Sequence, residues 1–323
     1  MVTYRTVGRT GIQVSNLCFG TMSFGGIADK EASRALYLRS REKGINFFDT
    51  ADIYNEGRAE EILGELIQGE RNELVLTSKA GFPTGRDPNA RGASRRHLLS
   101  SVEGSLRRLR TDRLEFYFIH RFDPLTPIEE TLRTLDDLQR QGKILYPAVS
   151  NWAAWQIAKA LGISAREGLA RFELVQPMYN LVKRQAEVEI LPLVQSEQLG
   201  AISYSPLGGG LLTGKYGVGK RPPSGRLVEQ PNYTKRYADE TNYIVADRFA
   251  AYAEERGYHP ATLAVAWVLG HPGITAPIVG ARNVEQLEPS LAALDVELTD
   301  EWRREITALS IDPPPATDRS EEV

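Results

Sequence analysis

Three residues of complementary chemistry each close an apolar run in this chain. Asp49 follows Ile45-Asn46-Phe47-Phe48, Lys79 follows Leu74–Ser78, and His120 follows Leu114–Ile119. If the runs are neighbouring strands, about 4.8 Å apart, the three side chains converge within a few ångströms. A carboxylate beside a lysine keeps the ammonium charged in spite of burial. Tyr54 lies five positions past Asp49, in Thr50-Ala51-Asp52-Ile53-Tyr54, close enough to fold back over the pair. A phenol next to a fixed ammonium is expected to have a lowered pKa and to act as general acid or base nearer neutrality. The chemistry on offer is proton transfer to or from an oxygen, with His120 available to orient it. Ser150-Asn151, Gln176, Tyr204-Ser205 and Gly280 end further apolar runs in the same manner.

The elements that must hold these groups alternate. The sequence predicts strands at 16–19, 45–49, 74–79, 114–120, 146–150, 173–176, 201–205 and 275–279. Helices are predicted over 29–43, 59–67, 94–109 and 127–140, each after one of the first four strands. Runs such as Phe116-Tyr117-Phe118-Ile119 are apolar on both faces, as parallel strands covered on both sides require. In the fourth helix, Thr126-Pro127-Ile128-Glu129 reads as an N-cap with a capping box. Its apolar stripe is Ile128, Leu132, Leu135 and Leu138, and Gly142 marks a left-handed stop. Eight such units with no break in composition predict one (β/α)8 TIM barrel over 1–323. An N-terminal β-hairpin within 4–14 would plug one mouth, and an extra C-terminal helix and an irregular tail at about 311–323 would complete the chain. Barrel active sites form at the C-terminal strand ends. Two irregular stretches after strands, 80–93 and 208–242, would therefore cover the site.

Read in order, Phe47-Phe48-Asp49-Thr50-Ala51-Asp52-Ile53-Tyr54, Thr77-Ser78-Lys79, Ile119-His120 and Val149-Ser150-Asn151-Trp152 form a recognisable series. It continues through Val175-Gln176-Pro177-Met178-Tyr179-Asn180, Tyr204-Ser205-Pro206-Leu207 and Pro277-Ile278-Val279-Gly280. The series resembles the aldo-keto reductases over nearly the whole chain. The resemblance implies a barrel that binds NADP(H) and reduces aldehydes or ketones to alcohols, with a small carbonyl compound as substrate. Its catalytic tetrad falls on Asp49, Tyr54, Lys79 and His120, with Tyr54 the proton donor. It places Ser150, Asn151 and Gln176 on the nicotinamide carboxamide, Tyr204 against the ring, and Gly20, Thr21 and Asp49 beside it as cofactor contacts. Ser205, Leu207, Gly210 and Lys215 would meet the pyrophosphate. Gly280, Arg282 and Gln286 would lie along the adenosine phosphate, where a guanidinium fork suits a 2′-phosphate. The chain departs from the family in having Glu288-Pro289-Ser290 where Glu-Glu-Asn is common. Phe24, Ile53, Phe82, Arg121, Phe122 and Trp152 are the candidates for the substrate wall, and arginines within 221–236 the candidates for further phosphate contacts.

Composition narrows the alternatives. With 39 basic against 42 acidic residues and a net charge of −3, the chain lacks the positive surplus that binds nucleic acid. One cysteine, Cys18, and four scattered histidines provide neither a disulfide framework nor a thiolate zinc site, so no metal is expected. No apolar run reaches the ~18 residues of a membrane span. The N-terminal residues lack the apolar core of a signal peptide, so a cytoplasmic protein is expected. Gly209–Lys215 spells GxxxxGK, yet Tyr216 and two nearby prolines stand where a magnesium-binding hydroxyl and a helix would be needed. A Schiff-base role for Lys79 conflicts with Asp49, which keeps the amine protonated and non-nucleophilic. A cofactor-binding regulatory subunit of the channel β-subunit type, with slow or no turnover, shares the same resemblance. Oligomeric state is not legible in the sequence.

Overall fold

The computed structural model describes residues 1–317. Its strands are short because each must contribute only a few side chains to a crowded interior. A hairpin of β1 (Tyr4–Thr6) and β2 (Gln13–Ser15) leads into β3 (Cys18–Gly20), α1 (Lys30–Glu42), β4 (Phe47–Asp49) and α2 (Arg58–Leu66). Then follow β5 (Val75–Ala80), α3 (Arg95–Leu109), β6 (Leu114–Ile119), α4 (Ile128–Arg140), β7 (Ile144–Ser150), α5 (Ala154–Glu167), β8 (Leu174–Gln176), α6 (Ile190–Ser196) and β9 (Gly200–Ser203). Two short helices, α7 (Arg226–Glu229) and α8 (Pro231–Arg236), precede α9 (Glu240–Glu255), α10 (Pro260–Leu269), β10 (Ala276–Val279), α11 (Val284–Leu291) and α12 (Asp300–Thr307). Strands β3 to β10 close a parallel barrel in chain order, with β10 pairing both β9 and β3. This is the (β/α)8 TIM barrel.

Side chains alternate along each strand, so the sheet separates two cores. Cys18, Phe47, Val75, Phe116, Phe118, Ala148, Leu174, Ile202 and Ala276 fill the barrel. Phe19, Phe48, Leu76, Tyr117, Ile119, Val149 and Val175 face the helices. Val7 and Val14 of the hairpin segment are fully buried against the interior set. The hairpin therefore closes the N-terminal mouth, as expected.

Two local expectations need correction. The N-cap of α4 is Pro127, with no side-chain cap bond, so the helix begins one residue later than expected. The Thr126 hydroxyl, one residue before that cap, donates to Asp123 Oδ2 at 2.7 Å and lies outside the position from which a side chain reaches the first-turn amides. Gly142 does take the left-handed stop, at φ 71°. The stretch 208–242 is not irregular throughout. Gly208–Thr213 forms a kinked 3-10 segment, and α7 and α8 follow, α8 opening on Pro231 where a missing N–H costs nothing. Within the expected tail, residues 311–317 carry no helix or strand. Asp312 there is held by Arg184 at 2.9 Å, and 318–323 lie outside the described residues.

Candidate active site

The alternation that fills the barrel also aims its chemistry. One step of two beyond Cys18, Phe47, Phe118, Ala148, Leu174 and Ile202 stand Gly20, Asp49, His120, Ser150, Gln176 and Tyr204; Lys79 follows Val75 by two such steps, and Gly280 follows the interior-facing Ile278 by one. All eight therefore have the inward parity at the C-terminal mouth. Seven of them line one cleft of about 980 Å³. The eighth, Lys79, lies beneath it, fully buried.

Lys79 is saturated. Its ammonium donates to Asp49 Oδ2 at 2.6 Å, to the Thr50 carbonyl at 2.6 Å and to the Tyr54 hydroxyl at 3.3 Å. Asp49 is engaged at both oxygens, because Oδ1 accepts from Thr77 Oγ1 at 2.7 Å and from Gln176 Nε2 at 2.9 Å. Burial works against the ammonium, but Asp49 and Tyr54 outweigh it and raise the Lys79 pKa. The sequence expectation for Tyr54 is reversed. Burial is the largest influence on the phenol and raises its pKa. The Lys79 charge opposes this, while the Asp49 carboxylate cancels part of the help. Spacing reveals which neighbours meet; it does not reveal how deep they sit. Tyr54 is thus a neutral O–H across the physiological range.

The backbone after Tyr54 is unusual. Asn55 (φ 47°) and Glu56 (φ 58°) are both left-handed, and Gly57 (φ 89°) completes the turn. Such residues persist only where surroundings over-determine them. The Asn55 amide does so, donating to the Met22 carbonyl at 3.0 Å and the Phe24 carbonyl at 2.7 Å. Asn151 (φ 59°) is held similarly. Its amide donates to the His120 carbonyl at 2.8 Å and its oxygen accepts from the Tyr204 hydroxyl at 2.7 Å.

His120 faces Tyr54, with ring centroids 6.0 Å apart, and meets the edge of Phe82 at 4.7 Å. Burial, then Lys79 and Arg121, pushes its pKa well below the usual imidazole value. The ring is neutral, and its Nδ1 is buried without a partner. A stranded lone pair costs less than a stranded N–H, which assigns the proton to Nε2.

Of the remaining expected contacts, Ser205, Leu207, Gly210, Lys215, Arg282 and Gln286 line the same cleft. Thr21 does not; its amide and hydroxyl are both spent on the Asp49 carbonyl, at 2.9 and 3.1 Å. Ile53 and Phe82 line the cleft, Phe82 beneath the Arg121 guanidinium at 4.8 Å. Phe24 is core, and Phe122 and Trp152 pack edge to face at 5.0 Å outside the cleft. Arg226 and Arg236 come to the cleft, whereas Arg221 stacks on Tyr243 at 3.7 Å. Sequence reasoning missed Tyr233, which α8 presents between Arg226 and Arg236. The signal was Gly209: a Cβ there would lie 2.8 Å from the Tyr233 ring, so that glycine exists to let α8 close down. Glu288 turns away to pair with Arg39 at 2.6 Å, and Pro289 lines the cleft.

Residues 16–311 match the aldo/keto reductase family. The chain belongs to that family. It is 37% identical over 299 residues to a probable voltage-gated potassium channel subunit beta of Oryza sativa subsp. japonica, covering 91% of each chain. It is 35% identical to an uncharacterized oxidoreductase, YrpG, of Bacillus subtilis (strain 168), covering 93% of this chain and 94% of that one. A probable channel subunit beta of Arabidopsis thaliana is 35% identical, with 91% of each chain covered. Membership of this aldo/keto reductase family supports an oxidoreductase that acts on a small molecule with a nicotinamide cofactor. Among the described residues, no helix is long and apolar enough to cross a membrane, and no group of three or more His, Cys, Asp or Glu is arranged to hold a metal ion.

Proposed function

We propose that this aldo/keto reductase is an NADPH-dependent carbonyl reductase, converting aldehydes or ketones to alcohols with Tyr54 as general acid. The observation that carries this reading is the saturation of Lys79. An ammonium can only donate, so the Tyr54 oxygen accepts from it, and the phenolic hydrogen is left to point at a substrate oxygen.

The cleft suits the cofactor. It is lined by Lys215, Arg226, Arg236 and Arg282, of which Lys215 and Arg226 cluster with Arg282 and Arg236 lies beside Tyr204. Among the described residues the first three form no ion pair, and Arg282 has only Glu229 at 3.7 Å. Burial and the charges of Arg282 and Arg226 lower the Lys215 pKa, the mark of a cation cluster built for an anion. The cleft volume is that of a large-ligand site. Ser150, Asn151, Gln176 and Tyr204 would hold the nicotinamide end, and Arg282 and Gln286 the adenosine end. NADPH, when bound, supplies the hydride. Tyr54 gives its proton to the carbonyl oxygen as negative charge develops there, while His120 donates from Nε2 to the same oxygen. Donors already in place in a water-poor site make the largest contribution to such a step. Lys79 then stabilises the tyrosinate left behind, and Asp49 holds Lys79.

Tyr54→Phe tests the reading. The expected loss in kcat is about 10²- to 10³-fold, within the range of positioned acid–base groups, with NADPH affinity unchanged in a fluorescence titration. Near-full activity overturns the assignment. The relatives named as channel subunits favour a second reading, a cofactor-holding regulator with slow turnover. NADPH consumption against a panel of aldehydes separates the two: tight cofactor binding without turnover selects the regulator.

A further inference from the structure

Behind the tetrad, between the outer face of the barrel and helices α2 and α3, lies a polar cage that the proton transfer does not use. Asp52 and Glu60 are both buried there. Arg108 brings the cage's one guanidinium, and it is spent on Glu60 Oε2, through Nε at 2.7 Å and a terminal nitrogen at 2.6 Å. Glu60 Oε1 accepts from the Ser78 hydroxyl. Among the described residues Asp52 forms no ion pair. Both its carboxyl oxygens are buried without a hydrogen-bond partner, although the Ile53 amide and Ser101 hydroxyl face them. The charged and titratable groups that face Asp52 are Glu60 from α2, Arg108 from α3 and the Tyr117 phenol from β6. Tyr117 Oη and Ser105 Oγ are likewise buried and unpartnered. Two carboxyl groups thus share one cation, and the unpaired one belongs to Asp52. An unpaired buried carboxylate beside another anion takes up a proton instead of remaining charged.

Asp52 is tied directly to the catalytic groups. Its amide donates to the Lys79 carbonyl at 3.2 Å, and the Thr50 amide donates to the Thr77 carbonyl at 3.1 Å. These two bonds zip the segment carrying Tyr54 onto β5. Resting on the reading of Tyr54 as proton donor, we propose that Asp52 is its positioning residue: as a neutral acid in the cage it seats the Thr50–Tyr54 segment, and its ionisation lifts Tyr54 off Lys79. Charge on Asp52 is repelled by Glu60 and draws the segment toward water. Burial, then Glu60, pushes the Asp52 pKa up to about 7, so the transition falls near neutrality.

The experiment measures kcat/KM for a para-substituted benzaldehyde with NADPH across the neutral range in the wild type, Asp52→Asn and Asp52→Ala. It also follows the infrared carbonyl band of a neutral carboxylic acid in the wild type. Asparagine copies the shape of the neutral acid and cannot ionise. The wild type is expected to lose about tenfold per pH unit above the transition. Asp52→Asn should keep the acid-side rate and have no such limb. Asp52→Ala should lower kcat about tenfold or more with NADPH affinity unchanged. The infrared band should be present in the wild type on the acid side and vanish through the same transition. A limb that persists in Asp52→Asn overturns the proposal, and so does absence of the band, which needs no variant to fold. Failure of the underlying reading shows differently: Tyr54→Phe would then keep its activity while the band still titrates.

Discussion

Replacing Lys79 by methionine removes the ammonium that holds three acceptors and keeps most of the side-chain volume. Asp49, itself almost fully buried, is then left as an uncompensated carboxylate. Breaking a buried pair from one side typically costs about 3–5 kcal/mol, a large part of the ~5–15 kcal/mol that holds a domain folded. Thr77 and Gln176 still donate to Asp49 Oδ1, which places the expected loss at the lower end, about 3 kcal/mol. Separately, Tyr54 loses a hydrogen bond from a charged donor, worth about 1.5–3 kcal/mol, or roughly ten- to a hundredfold in kcat. The two effects come apart in Asp49→Asn/Lys79→Met. Removing both charges should restore most of the stability in urea melts, while kcat for an aldehyde stays at the level of the single variant. Recovery of activity in the double variant would refute the argument, because it would show that the ammonium serves only to neutralise Asp49. Equal stability of the single and double variants would refute the buried-pair account.

Arg282→Ala should weaken NADPH by about tenfold or more, the worth of one charge-assisted contact, and leave NADH almost unchanged in the same fluorescence titration. His120 and His271 both sit neutral, His271 pushed down to about 4 by burial and then by Arg303. Groups of this kind bind more protons unfolded than folded, so the fold should lose stability as pH falls below 6.5. Burial lowers His97 as well, and melting temperatures measured between pH 7 and 4 should fall less steeply in His271→Asn, which removes one of the three.

The barrel was readable because its signal is redundant. Eight apolar runs each break off at a polar residue or glycine, and an error of a residue or two in any one leaves the count intact. The convergence of Asp49, Lys79 and His120 was readable for a related reason: they have the same parity as the fillers Phe47, Val75 and Phe118, so facing the mouth follows from the pleat. What spacing cannot convey is depth and competition. The sign of the Tyr54 shift turns on burial outweighing a neighbouring charge, and Thr126 misses the cap because α4 begins one residue later than the capping pattern places it. Helices α7 and α8 were missed because six residues or fewer show no period, and Tyr233 because it enters the cleft only through the space left by Gly209. Thr21 stands beside the cleft in sequence but is wholly engaged by the Asp49 carbonyl.

The side-chain amide of Asn55 spans from the turn behind the phenol to the carbonyls of Met22 and Phe24, and Met22 is also part of the cleft wall. Wall and acid are therefore one mechanical unit. A substitution at 22 that reshapes the cavity for a bulkier guest also tugs on the donor, so changes in selectivity there should be non-additive with changes at 54–55. Among the described residues Phe82 has no such hydrogen-bonded strut but meets the His120 ring at 4.7 Å, so a change there acts on the histidine and leaves the turn behind the phenol alone.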